Sequence, residues 1–215
     1  MTESEIRKLH KDSVVCLSYV NPSITYARGG KVSVRDYFTK TKPGEEASIP
    51  QMLRGGVDLV VLSHGVERKR FPGAMGVEFM LRCFDALVSE IDRHRKLKLI
   101  LTQRDLDETI RARKLGIVLH VSGSAFNHDL AVLRSYFRLG VRAAHPFGDD
   151  PTLGGCAGGA KQVGLQPLGR QVIREMERLG MLVDLAHTND RTFAEAIRFA
   201  ERPMGTSGNN LSEPS

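Results

Sequence analysis

The stretch Gly164-Leu-Gln-Pro-Leu-Gly-Arg-Gln-Val-Ile-Arg-Glu-Met-Glu-Arg-Leu-Gly-Met-Leu-Val-Asp-Leu-Ala-His187 holds one complete structural unit. Pro167 suits the first turn of a helix, where its missing N–H would have no partner anyway. Val172, Ile173, Met176 and Leu179 then recur on one face at helical spacing. Gly180 supplies the stop, since glycine reaches the left-handed conformation without penalty. Residues 181–185 form a short apolar run, the pattern of a buried strand. Two residues with useful chemistry, Asp184 and His187, stand at its end.

The same unit recurs outward from this stretch. Short apolar, β-branched runs occupy residues 13–17, 57–62, 117–121, 141–144 and 203–206, with a further short run at 97–101. Val57-Asp-Leu-Val-Val-Leu is nearly all apolar, as a strand covered on both faces must be. Ser48-Ile-Pro50 opens a helix that Gly55-Gly56 ends. Thr102 and Asp105 form a capping pair for a helix that stops at Gly116, and Asp129 caps another that ends at Gly140. Helix, glycine, strand therefore occurs four times, the mark of αβ units and a parallel sheet. Periodicity alone leaves two architectures open, a doubly wound sheet and a (β/α)₈ barrel. No Gly-rich phosphate loop follows the first strand, so nucleotide binding has no support. Segments 21–46 and 147–159, the latter with five glycines, follow strands at the end where such folds place their sites.

Composition narrows the function classes. The 215 residues are 41% hydrophobic and 26% charged, which suits one or at most two globular domains, and a single domain over 1–215 is expected. The net charge of +6 is spread over separate runs at 7–11, 68–70, 93–98 and 111–114, and aromatic residues make up only 6%, with no Trp. A nucleic-acid surface would interleave its charge with aromatics, so none is expected. The absence of any run of about 18 apolar residues gives no reason to expect a membrane span. Cys16, Cys83 and Cys156 are odd in number and widely spaced, which fits reduced thiols in a cytoplasmic protein. Cys156 lies in a Gly-rich loop, where a free thiol is usually incidental. Ser63-His64 lacks the context of a nucleophile elbow.

The quoted stretch closely resembles the pattern of the membrane (renal) dipeptidase family, in which GL-x-x-x-G leads a helix VV-x-EMNRLGM and a strand DLSH. Upstream, Leu130-Ala-Val-Leu-Arg-Ser-Tyr-Phe-Arg-Leu-Gly-Val-Arg resembles the family's L-x-x-LR-x-x-Y-x-LGVR. Gly55-Gly56-Val57 resembles its GGV strand start, and His10-Lys-Asp-Ser-Val-Val the approach to its first strand. The resemblance runs in register over roughly residues 9 to 210. It implies a TIM-like (β/α) barrel, here incomplete, with about six of eight strands present. It also implies zinc as cofactor and a dipeptide or similar small amide as substrate. Self-association is left open.

The resemblance also assigns positions to the family's metal ligands. The two ligands at the end of the first strand fall on Ser18 and Val20, and Val cannot bind a metal. His10 and Asp12 have ligand-like spacing but stand upstream, where a lead-in helix is the plainer reading. The bridging carboxylate of the third strand falls within His120-Val-Ser-Gly-Ser124, which has none. His120 is a candidate replacement, although a lone strand His is more often a core or rim residue. His187 occupies a family zinc position, and Asp184 would orient its neighbours. The second imidazole of the pair falls on Gly208. The family's substrate-contacting His falls near Gly148, with His145 and Asp149 as nearby candidates for substrate binding.

Two readings from different classes follow. One is a metal-dependent dipeptidase with drifted ligands; the other is a scaffold or binding protein that has lost the metal. At the family positions only His187 is a ligand, so stoichiometric zinc binding is expected to be lost unless His120, His145, Asp149 or Asp150 compensate. Ser18, Ser122, His145 and His187 are expected to share one end of the sheet.

Overall fold

The structure, a computed structural model, describes residues 1–21, 34–41, 48–66, 70–147, 150–159 and 163–207. They fall into two compact units, Met1–His64 with Leu81–Leu119, and Gly65–Met80 with His120–Ser215.

The first unit contains α1 (Glu3–Asp12), β1 (Cys16–Val20), α2 (Val34–Thr39), α3 (Ile49–Arg54), β2 (Leu59–Gly65) through its His64, most of α4 (Ala74–Arg93), β3 (Leu97–Leu99), α5 (Gln103–Arg111) and the start of β4 (Leu115–Ser122). Its helices begin where side chains can satisfy their free N–H groups. Thr2 with Glu5 and Thr102 with Asp105 each form a capping box, and at α3 Gln51 Oε1 accepts from Ser48 N at 2.7 Å. Asp58 ties β1 to β2: its Oδ2 accepts from Val15 N at 2.9 Å, while its own N–H donates to Val15 O at 2.9 Å. Val60, Leu62, Leu115, Ile117 and Leu119 are all fully buried, as strands covered on both faces require.

The second unit holds the end of β4, α6 (Leu130–Arg138), β5 (Val141–His145), α7 (Pro167–Leu179), β6 (Leu182–Val183) and α8 (Asp190–Phe199). Asp129 and Asn189 cap α6 and α8 through Ala131 N and Thr192 N. Gly180 ends α7 at φ 76°, and Met181 N reaches back to Met176 O at 2.9 Å, closing the turn. Val172, Ile173 and Met176 on α7 are fully buried. Each such side chain contributes ~1.5–3 kcal/mol relative to exposure.

The strand order is β1-β2-β4-β5-β6, with β3 on β4, and the β1–β2, β3–β4 and β5–β6 pairs run parallel. This is an α/β fold on a parallel sheet, as an incomplete TIM-like barrel requires. The run at 203–206 contributes a single parallel bridge, Gly205 to Asp184, rather than a full strand. Proline at 203 lacks the N–H that a longer ladder would use. Three helices, α2, α4 and α8, had not been read from the sequence, and α2 lies inside the segment 21–46 expected to be irregular. His10 lies in α1, the expected lead-in helix, and its Nε2 is 2.8 Å from Gly55 O.

Candidate metal centre

The strand ends of the second unit bring three buried donors together. His120 comes from β4, His145 closes β5 and Asp184 follows β6, and their ligand atoms lie within 4.8 Å of one another. His120 Nε2 is 3.3 Å from Asp184 Oδ2. The His120 and His145 ring centroids are 5.3 Å apart. His187 stands next to the group, its ring 5.2 Å from that of His145, but its residue is exposed. Ser122 Oγ and His145 Nε2 are hydrogen-bonded at 3.1 Å.

The surroundings fix the charges. Burial, together with neighbouring His120 and His187, pushes His145 down to about 3 against the pull of Asp184, so its imidazole is neutral at physiological pH. Burial also works to raise Asp184, but hydrogen bonds from His120, Ser207 and Ala186 N outweigh it and hold the carboxyl at about 2. Ala186 N donates at 2.9 Å and Ser207 N at 3.0 Å, both to Oδ1, while Ser207 Oγ donates to Oδ2. A permanently ionised carboxylate therefore faces two imidazoles, one of them held neutral.

That donor set fits a small divalent cation. Zinc takes imidazole and carboxylate ligands at about 2.0–2.2 Å, so tetrahedral donors stand roughly 3.3–3.6 Å apart. Donors already within 4.8 Å need only a small closure. Glycine makes room for the arrangement: a Cβ on Gly65 would lie 2.8 Å from Ser122 Cβ and 2.9 Å from Ser122 O. Only a residue without a side chain lets β2 approach the Ser122 backbone so closely.

The sequence candidates are distributed as follows. His120, His145 and His187 come together, with Ser122 on His145. Asp184, read from sequence as an orienting group, has its carboxylate among the donors themselves. Ser18 is exposed on β1 and Val20 is buried there, both in the first unit. Asp149, Gly148 and Gly208 lie outside the described residues. Asp150 is buried and is bound by His128. The backbone of Cys156 pairs with that of Thr188 in an isolated antiparallel bridge, and its thiol forms no disulfide. His64 is buried against Phe84, edge to face at 6.3 Å, in the first unit. Ser207 and His128 were not singled out from sequence. Ser207 stands one residue before the position of the lost strand histidine and was legible in the family pattern. His128 carried no signal.

No helix among the described residues is long and apolar enough to cross a membrane. Among curated proteins, the chain is 25% identical to dipeptidase 3 of Mus musculus over 177 residues, 74% of this chain and 35% of that protein. It thus spans about a third of the length of that relative. Among solved structures it is similar to the metallo peptidase dipeptidase AC, with a TM-score of 0.76 at 20% identity, covering 90% of this chain and 62% of that one. A metallo peptidase from Rhodobacter sphaeroides, liganded with a phosphinate mimic of the dipeptide L-Ala-D-Ala, gives a TM-score of 0.75 at 17% identity over 90% of this chain and 64% of that one. At these identities the likenesses show a shared fold. The match to membrane dipeptidase, peptidase family M19, covers residues 3–212, and the chain belongs to that family.

Proposed function

We propose that this protein is a metal-dependent hydrolase of dipeptides or similar small amides, with His120, His145 and Asp184 holding a zinc ion. The observation that carries the reading is the buried cluster itself, two imidazoles and an ionised carboxylate at the ends of neighbouring strands. Bound there, zinc would act as a Lewis acid toward a substrate carbonyl and lower the pKa of a bound water. The ligand mimicked in the Rhodobacter sphaeroides structure, a dipeptide, supports the substrate class. The chain's own residues have defined parts in this reading. Asp184 stays ionised through Ser207 and Ala186 N, His145 stays neutral through burial, and Ser122 fixes the orientation of His145.

One observation favours a non-catalytic scaffold instead. Val20 is apolar and buried where the resemblance places a metal ligand, so that position contributes nothing to a metal site. The test separates the readings. The full chain is stripped with chelator, reloaded with zinc and analysed for metal, then assayed on a panel of dipeptides. One zinc per chain, lost in His145→Ala and in His120→Ala, with dipeptide hydrolysis that follows the metal, is the expected result. A chain that takes up no zinc, or whose variants bind it as well as the wild type, refutes the proposal.

A further inference from the structure

A second pair of titratable side chains lies outside the metal cluster. Asp150 is buried, at 2% exposure, and its carboxylate is fully engaged. Oδ1 accepts from Thr152 N at 3.0 Å and from Thr152 Oγ1 at 2.7 Å, and Oδ2 accepts from His128 Nε2. Thr152 Oγ1 also lies 3.4 Å from His128 Nε2. Burial alone would raise the Asp150 pKa, but these bonds hold it well below the usual carboxylate range, so the group is an acceptor at every physiological pH. The proton in the pair must therefore sit on His128 Nε2. In the neutral ring that leaves Nδ1 with a free lone pair. The His128 side chain is 34% exposed, so the ring is within reach of solvent.

The backbone marks the same place. Asn127 and His128 are consecutive non-glycine residues in the left-handed region, at φ 52° and 59°. Such conformations persist only where the surroundings enforce them. The turn is closed locally by Asn127 N on Ser124 O and Asp129 N on Phe126 O, both at 3.1 Å, and the His128 side chain is held by the loop that follows β5. Asp150 begins the described part of that loop by binding His128. Farther along, Ala157 N donates to His187 O at 2.7 Å, Cys156 bridges Thr188, and Asn189 N donates to Gly155 O at 3.0 Å. The loop is thus fastened at one end to His128, after β4, and at the other to His187, after β6. It lies at the strand ends that carry His120, His145 and Asp184, and Gly123 N, just past β4, bonds His145 O at 2.9 Å.

We infer that His128 is a proton-transfer residue for amide hydrolysis at this end of the sheet, with Asp150 as its positioning residue. The inference rests on the hydrolase reading above. As the oxygen of water bonds to the amide carbonyl carbon, the O–H proton passes to His128 Nδ1. When the C–N bond breaks, the imidazolium returns that proton to the leaving amine nitrogen. Nε2–H stays donated to Asp150 throughout, which fixes the tautomer and stabilises the transient cation. The products are a carboxylic acid and an amine, and water supplies all the added atoms.

The test uses the full chain loaded with zinc. His128→Asn is the primary variant, since asparagine tolerates the left-handed backbone. Asp150→Asn is the second. His128→Asn is expected to lower kcat on a dipeptide by ~10²–10⁴-fold. KM should change less than about threefold, zinc content should stay unchanged, and added imidazole should restore part of the rate. In wild type, ¹⁵N NMR should show one fixed His128 tautomer with the proton on Nε2; in Asp150→Asn the tautomers should mix. A His128→Asn protein that keeps its kcat, or one whose loss imidazole leaves untouched, overturns the assignment while leaving the hydrolase reading in place. A wild-type chain that binds no zinc and cleaves no amide overturns both.

Discussion

His120 Nε2 and Asp184 Oδ2 stand 3.3 Å apart with side chains only 1% and 3% exposed. Water cannot compensate either group there if the other is removed. Asp184→Ala is therefore expected to cost about 3–5 kcal/mol of stability, the usual penalty for leaving half of a buried pair alone. Zinc content should fall to background in the same protein. Urea unfolding and elemental analysis measure the two effects, and a variant that keeps its full zinc complement would remove Asp184 from the ligand set.

A second carboxylate holds the segment that delivers Ser207. Glu177 Oε1, on α7, accepts from Glu201 N at 2.7 Å and from Arg202 N at 3.0 Å, and the residue is only 6% exposed. Glu177→Ala leaves two backbone donors without their acceptor and should cost about 1.5–3 kcal/mol. Glu177→Gln, which keeps an acceptor oxygen, should lose less. Equal stability of Glu177→Ala and wild type in thermal unfolding would contradict this account.

Gly65 is packed closely against Ser122. A methyl group there meets both Ser122 Cβ and the Ser122 carbonyl, and backbone cannot swing aside as a long side chain can. Gly65→Ala should destabilise the protein by about 1–3 kcal/mol through overpacking. It should also perturb the Ser122–His145 hydrogen bond, visible as a shifted His145 ¹⁵N resonance. An unchanged resonance together with unchanged stability would show that the strands can separate freely.

Acid should unfasten α6 from α7. Glu175 is held at about 2, below its ordinary 4.5, first by the Arg178 hydrogen bond and, after the opposing effect of burial, by Arg134. Its folded pKa is depressed, so its contribution is present above about pH 4.5 and is lost as pH falls from there through about 2. Arg134 Nη1 reaches Glu175 across the helix pair at 3.0 Å. The expected result is a fall in stability over this window that is smaller in Glu175→Gln. High salt should weaken the effect, because both arginines are partly exposed. Parallel pH profiles for the two proteins would exclude Glu175 as a source.

The fold was legible because its punctuation is local. Gly180 and the apolar face of α7 can be read without any long-range information, and so can the capping pair Thr102–Asp105. The helix α4 escaped because the residue before it, Gly73, has no side chain that could signal a cap, and a glycine stands at its third position. The site was legible only in part. Register places His187 at a strand end, but register does not say how far its neighbours reach. Whether His120 and His145 meet Asp184 depends on strand pairing and on which way each side chain leaves the sheet. His128 was hidden for a different reason: its partner Asp150 is 22 residues away, and only the path of the loop unites them.

The hydrogen bonds of Asp184 reach beyond chemistry. Its two oxygens gather Ala186 N, Ser207 N and Ser207 Oγ, and its backbone pairs with Gly205. The same carboxylate thus orders the cluster and fastens the last described segment to the sheet. A descendant that stopped hydrolysing anything would still lose stability without this aspartate. His120 and His145 give their rings to the cluster. In a set of diverged copies, a surviving aspartate at this position would therefore report an intact scaffold, whereas joint survival of the two histidines would report retained chemistry.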